Sequence, residues 1–230
     1  MNPEIEKFDR LSSQWWNLDK EFAMLHRINP IRTKYVVEKS QNLLKRDLLS
    51  ISVLDIGCGG GILTESIYDA GLANIVGIDE SGSSICVADK HKIDRSIQYI
   101  NCSTSDLIAL DKSYDIVIAM EVIEHVANYQ KFLQECSSLL KVGGLLFVAT
   151  INRTIKSLIL AKIAAEYIIG CIPRNTHSWQ KFLRPSEINA CLEEIGLELY
   201  DITGVEYRAL LKEFIISDNL DMNYMMCFIK

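Results

Sequence analysis

Val53-Leu54-Asp55-Ile56-Gly57-Cys58-Gly59-Gly60-Gly61 is an apolar strand that runs into glycines, and Ile62, Leu63 and Ile67 continue it at helical spacing. The pattern predicts a strand, a tight turn and a helix. Glycine lets the backbone turn sharply and approach a ligand closely, and the helix start behind it offers free N–H groups. A dinucleotide fingerprint needs a third glycine where Ile62 stands, and a phosphate-binding P-loop needs Gly-Lys-Ser/Thr; neither is present. Asp55 stands two residues before the first glycine, where a carboxylate would repel a pyrophosphate but could attract the ammonium of a methionine moiety. Asp79, in Gly77-Ile78-Asp79-Glu80-Ser81, falls about 20 residues downstream, the spacing of a carboxylate that accepts hydrogen bonds from ribose hydroxyls. Adenosine without phosphates fits both acids. Asp106, after the third strand, could meet the adenine amine or cap the next helix. Met120 could pack under the cofactor or belong to the core.

On either side of this loop, strands alternate with helical stretches. Val53 to Ile56, Asn74 to Ile78, Ile97 to Asn101, Tyr114 to Met120 and Leu145 to Ile151 read as strands of a parallel α/β sheet with right-handed crossovers. Residues 1–50 form a helical preface, with Asn29-Pro30 breaking its periodicity. After the fifth strand come a long apolar helical stretch, Ile155 to Ile172, a helix from about Pro185 to Ile195, and two last strands, near Leu197 to Tyr207 and Tyr224 to Ile229. That pair, joined without a helix, is expected as an antiparallel hairpin at the sheet edge. Nothing along residues 1–230 looks like a linker, so one domain is expected, with an insertion over 153–184.

A net charge of -6 argues against a nucleic-acid partner. The seven cysteines are odd in number and lack a CxxC pair, which fits reduced thiols in a cytosolic compartment. Met1 to Arg10 carries Glu4, Glu6 and Asp9 and resembles neither a secretory nor a mitochondrial leader.

The strand, the glycine loop and Asp79 resemble motifs I and II of class I S-adenosylmethionine-dependent methyltransferases. The resemblance extends along nearly the whole chain. Ser13-Gln14-Trp15-Trp16-Asn17-Leu18, Leu25-His26-Arg27-Ile28-Asn29-Pro30-Ile31-Arg32, Met120-Glu121-Val122-Ile123-Glu124-His125-Val126, Thr150-Ile151-Asn152-Arg153, Ala165-Glu166-Tyr167-Ile168 and Asn175-Thr176-His177 stand in the order found in the bacterial ubiquinone-biosynthesis O-methyltransferases. That resemblance implies a Rossmann-like seven-stranded sheet with a reversed last strand, S-adenosylmethionine as methyl donor, and methylation of phenolic hydroxyls on polyprenylated rings. Matched by position, it implies cofactor contacts at Arg32, Gly57, Asp79 and Met120, with Arg32 on the cofactor carboxylate; the loop reading adds Asp55, Gly59 and Asp106. Asn17 departs from the pattern, where an acid often follows the paired tryptophans, and Cys102 to Asp106 is not a close match.

A phenol titrating near ~10 needs help to react at neutral pH. Glu121, Glu124 and His125 fall at i, i+3 and i+4, on one face if the segment is helical. Three readings stay open: a metal site for Mg²⁺ on Glu121, Glu124 and His125, His125 as direct base beside Glu121, or a plain helix start. His177 is a second candidate base.

Between residues 153 and 184, Arg153, Lys156, Lys162, Arg174, Lys181 and Arg184 stand against Glu166 alone. An apolar helix with a basic cluster on an acidic chain predicts peripheral contact with anionic lipid at the cytoplasmic face of the membrane, and the charges at its centre disfavour a span. Two other functions compete: methylation of a soluble phenol, and a non-catalytic cofactor-binding scaffold for other ubiquinone-pathway enzymes.

Overall fold

The computed structural model describes residues 3–93, 95–158 and 179–230. Among them, eight strands form one sheet: β1 Ser52–Ile56, β2 Asn74–Asp79, β3 Gln98–Asn101, β4 Tyr114–Met120, β5 Leu140–Ile151, β6 Glu198–Arg208, β7 Glu213–Ser217 and β8 Asn223–Ile229. Their spatial order is β3-β2-β1-β4-β5-β8-β6-β7. The helices are α1 Pro3–Leu11, α2 Ala23–Leu44, α3 Ile62–Asp69, α4 Gly82–His91, α5 Thr104–Ala109, α6 Tyr129–Ser138 and α7 Pro185–Glu194. Strands β1 to β5 pair in parallel, and β8 pairs antiparallel with both β5 and β6. The order reverses between β1 and β4, which opens a crevice at the strand carboxyl ends where such sheets bind ligands.

The sheet is buried on both faces. All seven positions of β4 are buried, the run expected of a central parallel strand covered on both sides. One face packs Val117, Val148 and Met226 against Leu107, Phe132 and Leu133 of α5 and α6 and Ile188 and Leu192 of α7. The other packs Ile116, Ile118, Phe147 and Met225 against Ile28, Tyr35 and Val36 of α2 and Ile67 of α3.

The expected class I methyltransferase architecture is present, with three differences in detail. First, the sheet has an eighth strand, β7, which joins β6 across a short turn at residues 209–212 with Lys212 at φ 53°. Its five residues are only half-buried, so the sequence carries too little apolar alternation to announce it. Second, β8 lies inside the sheet. Tyr224 to Phe228 are all buried, and only a strand paired on both edges and covered on both faces buries such a run. Third, Asn29-Pro30 does not break the preface: α2 runs through Pro30 as one helix of 22 residues. A proline there costs about 3 kcal/mol. Burial of Ile28, Tyr35 and Val36 outweighs it, and the Asn29 amide anchors the turn by donating to the Ile62 carbonyl and Ser66 Oγ.

Most of the insertion expected over 153–184, with Lys162, Glu166, Arg174 and His177, lies outside the described residues. Among the described residues, no helix is long and apolar enough to cross a membrane.

Candidate active site

The carboxyl ends of β1 and β2 build one wall of the crevice. The chain leaves β1 through Gly57, Gly59 and Gly61 at φ 69°, 52° and 86°, a left-handed backbone that disfavours any Cβ. The Gly57 and Cys58 N–H groups donate to the Ile78 carbonyl at 2.8 and 3.0 Å, which fastens the loop to β2. Asp79 then joins the loop to the next helix. Its Oδ2 accepts from Gly59 N–H at 2.9 Å and its Oδ1 from Ser81 N–H at 2.8 Å. Burial pushes the Asp79 carboxyl above its usual range, against the pull of these two amides.

Asp55 lies deeper, fully buried, and accepts the Thr64 hydroxyl at 2.6 Å. Burial, opposed by that hydroxyl and reinforced by Asp79, raises its carboxyl to about 7. If this carboxylate meets the cofactor's ammonium, cofactor affinity should rise about fivefold between pH 6 and pH 7, because the cation binds only the ionised form, and level off above that as the ammonium, an α-amino group titrating near ~8, loses its own proton. Calorimetry across that range tests the assignment, with Asp55→Asn flattening the profile; a flat wild-type profile would remove Asp55 from the contact.

Arg32 reaches the crevice from α2. It is 5% exposed, its Nη2 donates to Glu121 Oε1, and its Nε is buried with no partner. Such an orphan donor on a buried cation fits an incoming carboxylate. Met120 closes the floor at the end of β4, 7% exposed. Asp106 takes the capping role: its Oδ2 accepts from the Ser103 N–H and hydroxyl at 2.8 and 2.7 Å, in a capping box that starts α5.

The acceptor side departs from the expectation of one helical face. Residues 121–128 are a series of turns, and Glu121 itself sits at φ 57°. The three groups therefore do not share one face, although the Glu121 and Glu124 carboxyls lie against each other. Glu121 is held by Arg32 and Asn223, Glu124 is buried and accepts the Thr150 hydroxyl at 2.9 Å, and His125 Nδ1 lies 3.2 Å from Glu4 Oε2. Burial first, and the neighbouring Glu121 charge second, push the Glu124 carboxyl well above its usual range. Among the described residues, no group of three or more His, Cys, Asp or Glu side chains is placed to hold a metal ion, so the three residues read as Mg²⁺ ligands do not fit one as they stand here.

A family described as a methyltransferase domain matches residues 27–202. The ubiquinone biosynthesis O-methyltransferase of Rickettsia akari is 41% identical over 226 residues, covering 97% of this chain and 89% of that protein. That of Hahella chejuensis is 39% identical over 230 residues, covering 99% and 94%. The chain belongs to the ubiquinone biosynthesis O-methyltransferase family. Its fold also matches plantazolicin methyltransferase BpumL, solved with SAH, at TM-score 0.68 and 18% identity over 99% of this chain and 96% of that one. Magnesium protoporphyrin IX methyltransferase from Synechocystis PCC 6803, solved with bound SAH, matches at TM-score 0.67 and 16% identity over 100% and 95%.

In this methyltransferase, sequence reasoning missed the part played by the N-terminal segment. The Trp15 ring lies so close to the loop that a Cβ on Gly59 or Gly60 would come within 2.4 Å of it. Trp15 also stacks on Phe22 and donates to Ser84 Oγ, while Trp16 donates to the Gly60 carbonyl and stacks on His91. Asp9 accepts the Ser81 hydroxyl, and Glu4 meets both His125 and Lys181. Spacing alone gave α1 as a helix. The paired tryptophans, which follow α1, were the signal that this segment covers the glycine loop.

Proposed function

We propose that this methyltransferase transfers a methyl group from S-adenosylmethionine to phenolic hydroxyls of polyprenylated rings. The observation that carries the reading is that the carboxyl ends of neighbouring central strands carry both the glycine loop, with Asp55 and Asp79, and, in the turns after β4, His125 beside the Glu4 carboxylate. Asp79 would take the ribose hydroxyls, Asp55 the ammonium, Arg32 the carboxylate, and Gly57 and Gly59 would let the loop close on the donor with Met120 beneath it. When bound, S-adenosylmethionine supplies an electrophilic methyl on a sulfonium. His125 would accept the proton of the acceptor hydroxyl as its oxygen takes the methyl group, for which the donor would supply a neutral thioether as leaving group. Burial raises the Glu4 carboxyl, but the hydrogen bond and charge of Lys181 help to hold it below its usual range, so Glu4 is an anion suited to orient His125.

A lipid-borne acceptor suits the rim of the site. Ile155 is 76% exposed just after β5, and Leu210, 99% exposed, and Leu211 cap the β6–β7 hairpin at the same edge, because β6 runs parallel to β5. Lys212 flanks those leucines, while Arg208 beside them pairs with Glu213 at 3.8 Å; the exposed leucines and the lysine favour contact with anionic lipid. Methyl transfer from labelled donor to a polyprenyl catechol and to its tail-less analogue, each with Mg²⁺ or EDTA, tests the proposal. Tail-dependent turnover indifferent to EDTA is expected. Equal turnover on both acceptors would favour a soluble phenol, cofactor binding without turnover a scaffold, and EDTA-sensitive turnover restored by Mg²⁺ would move the activating role from His125 to a metal.

A further inference from the structure

Arg32, Glu121 and Asn223 come from three distant parts of the chain: α2, the turn after β4 and the first residue of β8. They converge on one atom. Glu121 Oε1 accepts from Arg32 Nη2 and, at 2.9 Å, from Asn223 Nδ2, while the buried Glu124 carboxyl lies against the same carboxylate and brings no cationic donor. Glu121 stands at φ 57°, a backbone that glutamate adopts only where its surroundings hold it, and its own N–H donates to the Ala149 carbonyl at 2.9 Å. The two donors differ in kind. Arg32 brings a buried charge with an Nε–H that has no partner; Asn223 brings a neutral amide whose Oδ1 is also buried and unpartnered.

On the reading above, the methyl donor's carboxylate also needs the Arg32 charge, so two anions draw on one guanidinium. Arg32 can serve both only by dividing its donors, with Nη2 on Glu121 and Nε turned to the ligand. A neutral amide can fix a carboxylate in place without consuming any of that charge.

We propose that Asn223 is a positioning residue: its amide holds Glu121 on the acceptor side so that Arg32 can present its charge to the donor's carboxylate. The proposal rests on Arg32 as the ligand of that carboxylate. It makes Asn223 matter for cofactor affinity only through the charge on Glu121, which a packing role would not do.

A double-mutant cycle on binding of S-adenosylhomocysteine, measured by calorimetry on the full chain, tests this. Asn223→Ala should weaken binding about tenfold, because Glu121 then draws more heavily on Arg32. Glu121→Gln should bind at least as tightly as wild type, and adding Asn223→Ala to it should change affinity less than about twofold. Equal losses in both backgrounds, or no loss in either, would overturn the proposal. If Asn223→Ala fails to fold by circular dichroism, Asn223→Ser keeps a small polar residue on the strand, too short to reach Glu121, and the same pattern is expected. A wild-type chain that does not bind the homocysteine product would overturn the cofactor reading and this proposal with it, whereas binding without coupling overturns this proposal alone.

Discussion

Asp79→Ala should weaken S-adenosylmethionine binding by about 100-fold or more, from two losses that act together. The first is the proposed pair of bonds to the ribose hydroxyls, each of which, to a charged acceptor, is worth about 1.5–3 kcal/mol. The second is internal. The same carboxylate accepts from the Gly59 and Ser81 amides, so its removal frees a loop that already carries three left-handed glycines and loosens the start of α4. Calorimetry with S-adenosylhomocysteine measures the total, and Asp79→Asn separates the parts. An asparagine carbonyl can keep one of the two amide bonds but brings no charge to the ribose, so its loss should be intermediate. Unchanged affinity in Asp79→Ala would remove the residue from the cofactor contact.

The first five strands were legible because each is a short apolar run bounded by a turn, and parallel strands covered on both faces must read that way. β7 was not legible, since Glu213–Ser217 is a half-buried edge strand whose only strong signal is its partner β6. Pro30 misled for a related reason: local propensity argued for a break, but tertiary burial of Ile28, Tyr35 and Val36 prevailed. At the site, the glycine loop, Asp55 and Asp79 could be read from spacing because they sit on consecutive strand ends. Arg32 could be found only through the family resemblance, because a lone arginine in a helix carries no local mark of its buried fork. Glu121, Glu124 and His125 were identified as a group but given the wrong local geometry. Helical spacing would put all three on one face, whereas the left-handed Glu121 turns the chain: Glu121 reaches Arg32, Glu124 reaches Thr150 with Glu121 beside it, and His125 reaches Glu4. Glu4 and Asn223 lie more than 100 residues along the chain from the groups they serve, at separations of 121 and 102, and no periodicity reaches that far.

His125→Ala should lower kcat by about 10²–10⁴-fold, the usual contribution of a positioned base, while leaving affinity for S-adenosylhomocysteine within about twofold. The split follows from placement. His125 lies in the turns after β4, packed edge-on against Phe8 at 5.3 Å and 3.2 Å from Glu4 Oε2, whereas the ribose and ammonium roles fall to Asp79 and Asp55 on β2 and β1. With Nδ1–H donated to the Glu4 carboxylate, the lone pair on Nε2 becomes the basic site, and the tautomer is fixed by a residue from the N-terminal helix. Glu4→Gln should therefore cost about tenfold in kcat, since an amide oxygen can still accept from Nδ1–H but no longer stabilises the imidazolium that forms. Single-turnover methyl transfer at saturating donor reads this without interference from product release. A full-rate His125→Ala enzyme would displace the imidazole from proton transfer, and a Glu4→Gln enzyme as impaired as His125→Ala would mean that α1 supplies more than orientation. The same pair of variants also tests whether the N-terminal segment acts in the reaction or only covers the loop: a purely covering segment would let Glu4→Gln alter cofactor affinity and leave kcat untouched, the reverse of the expected result.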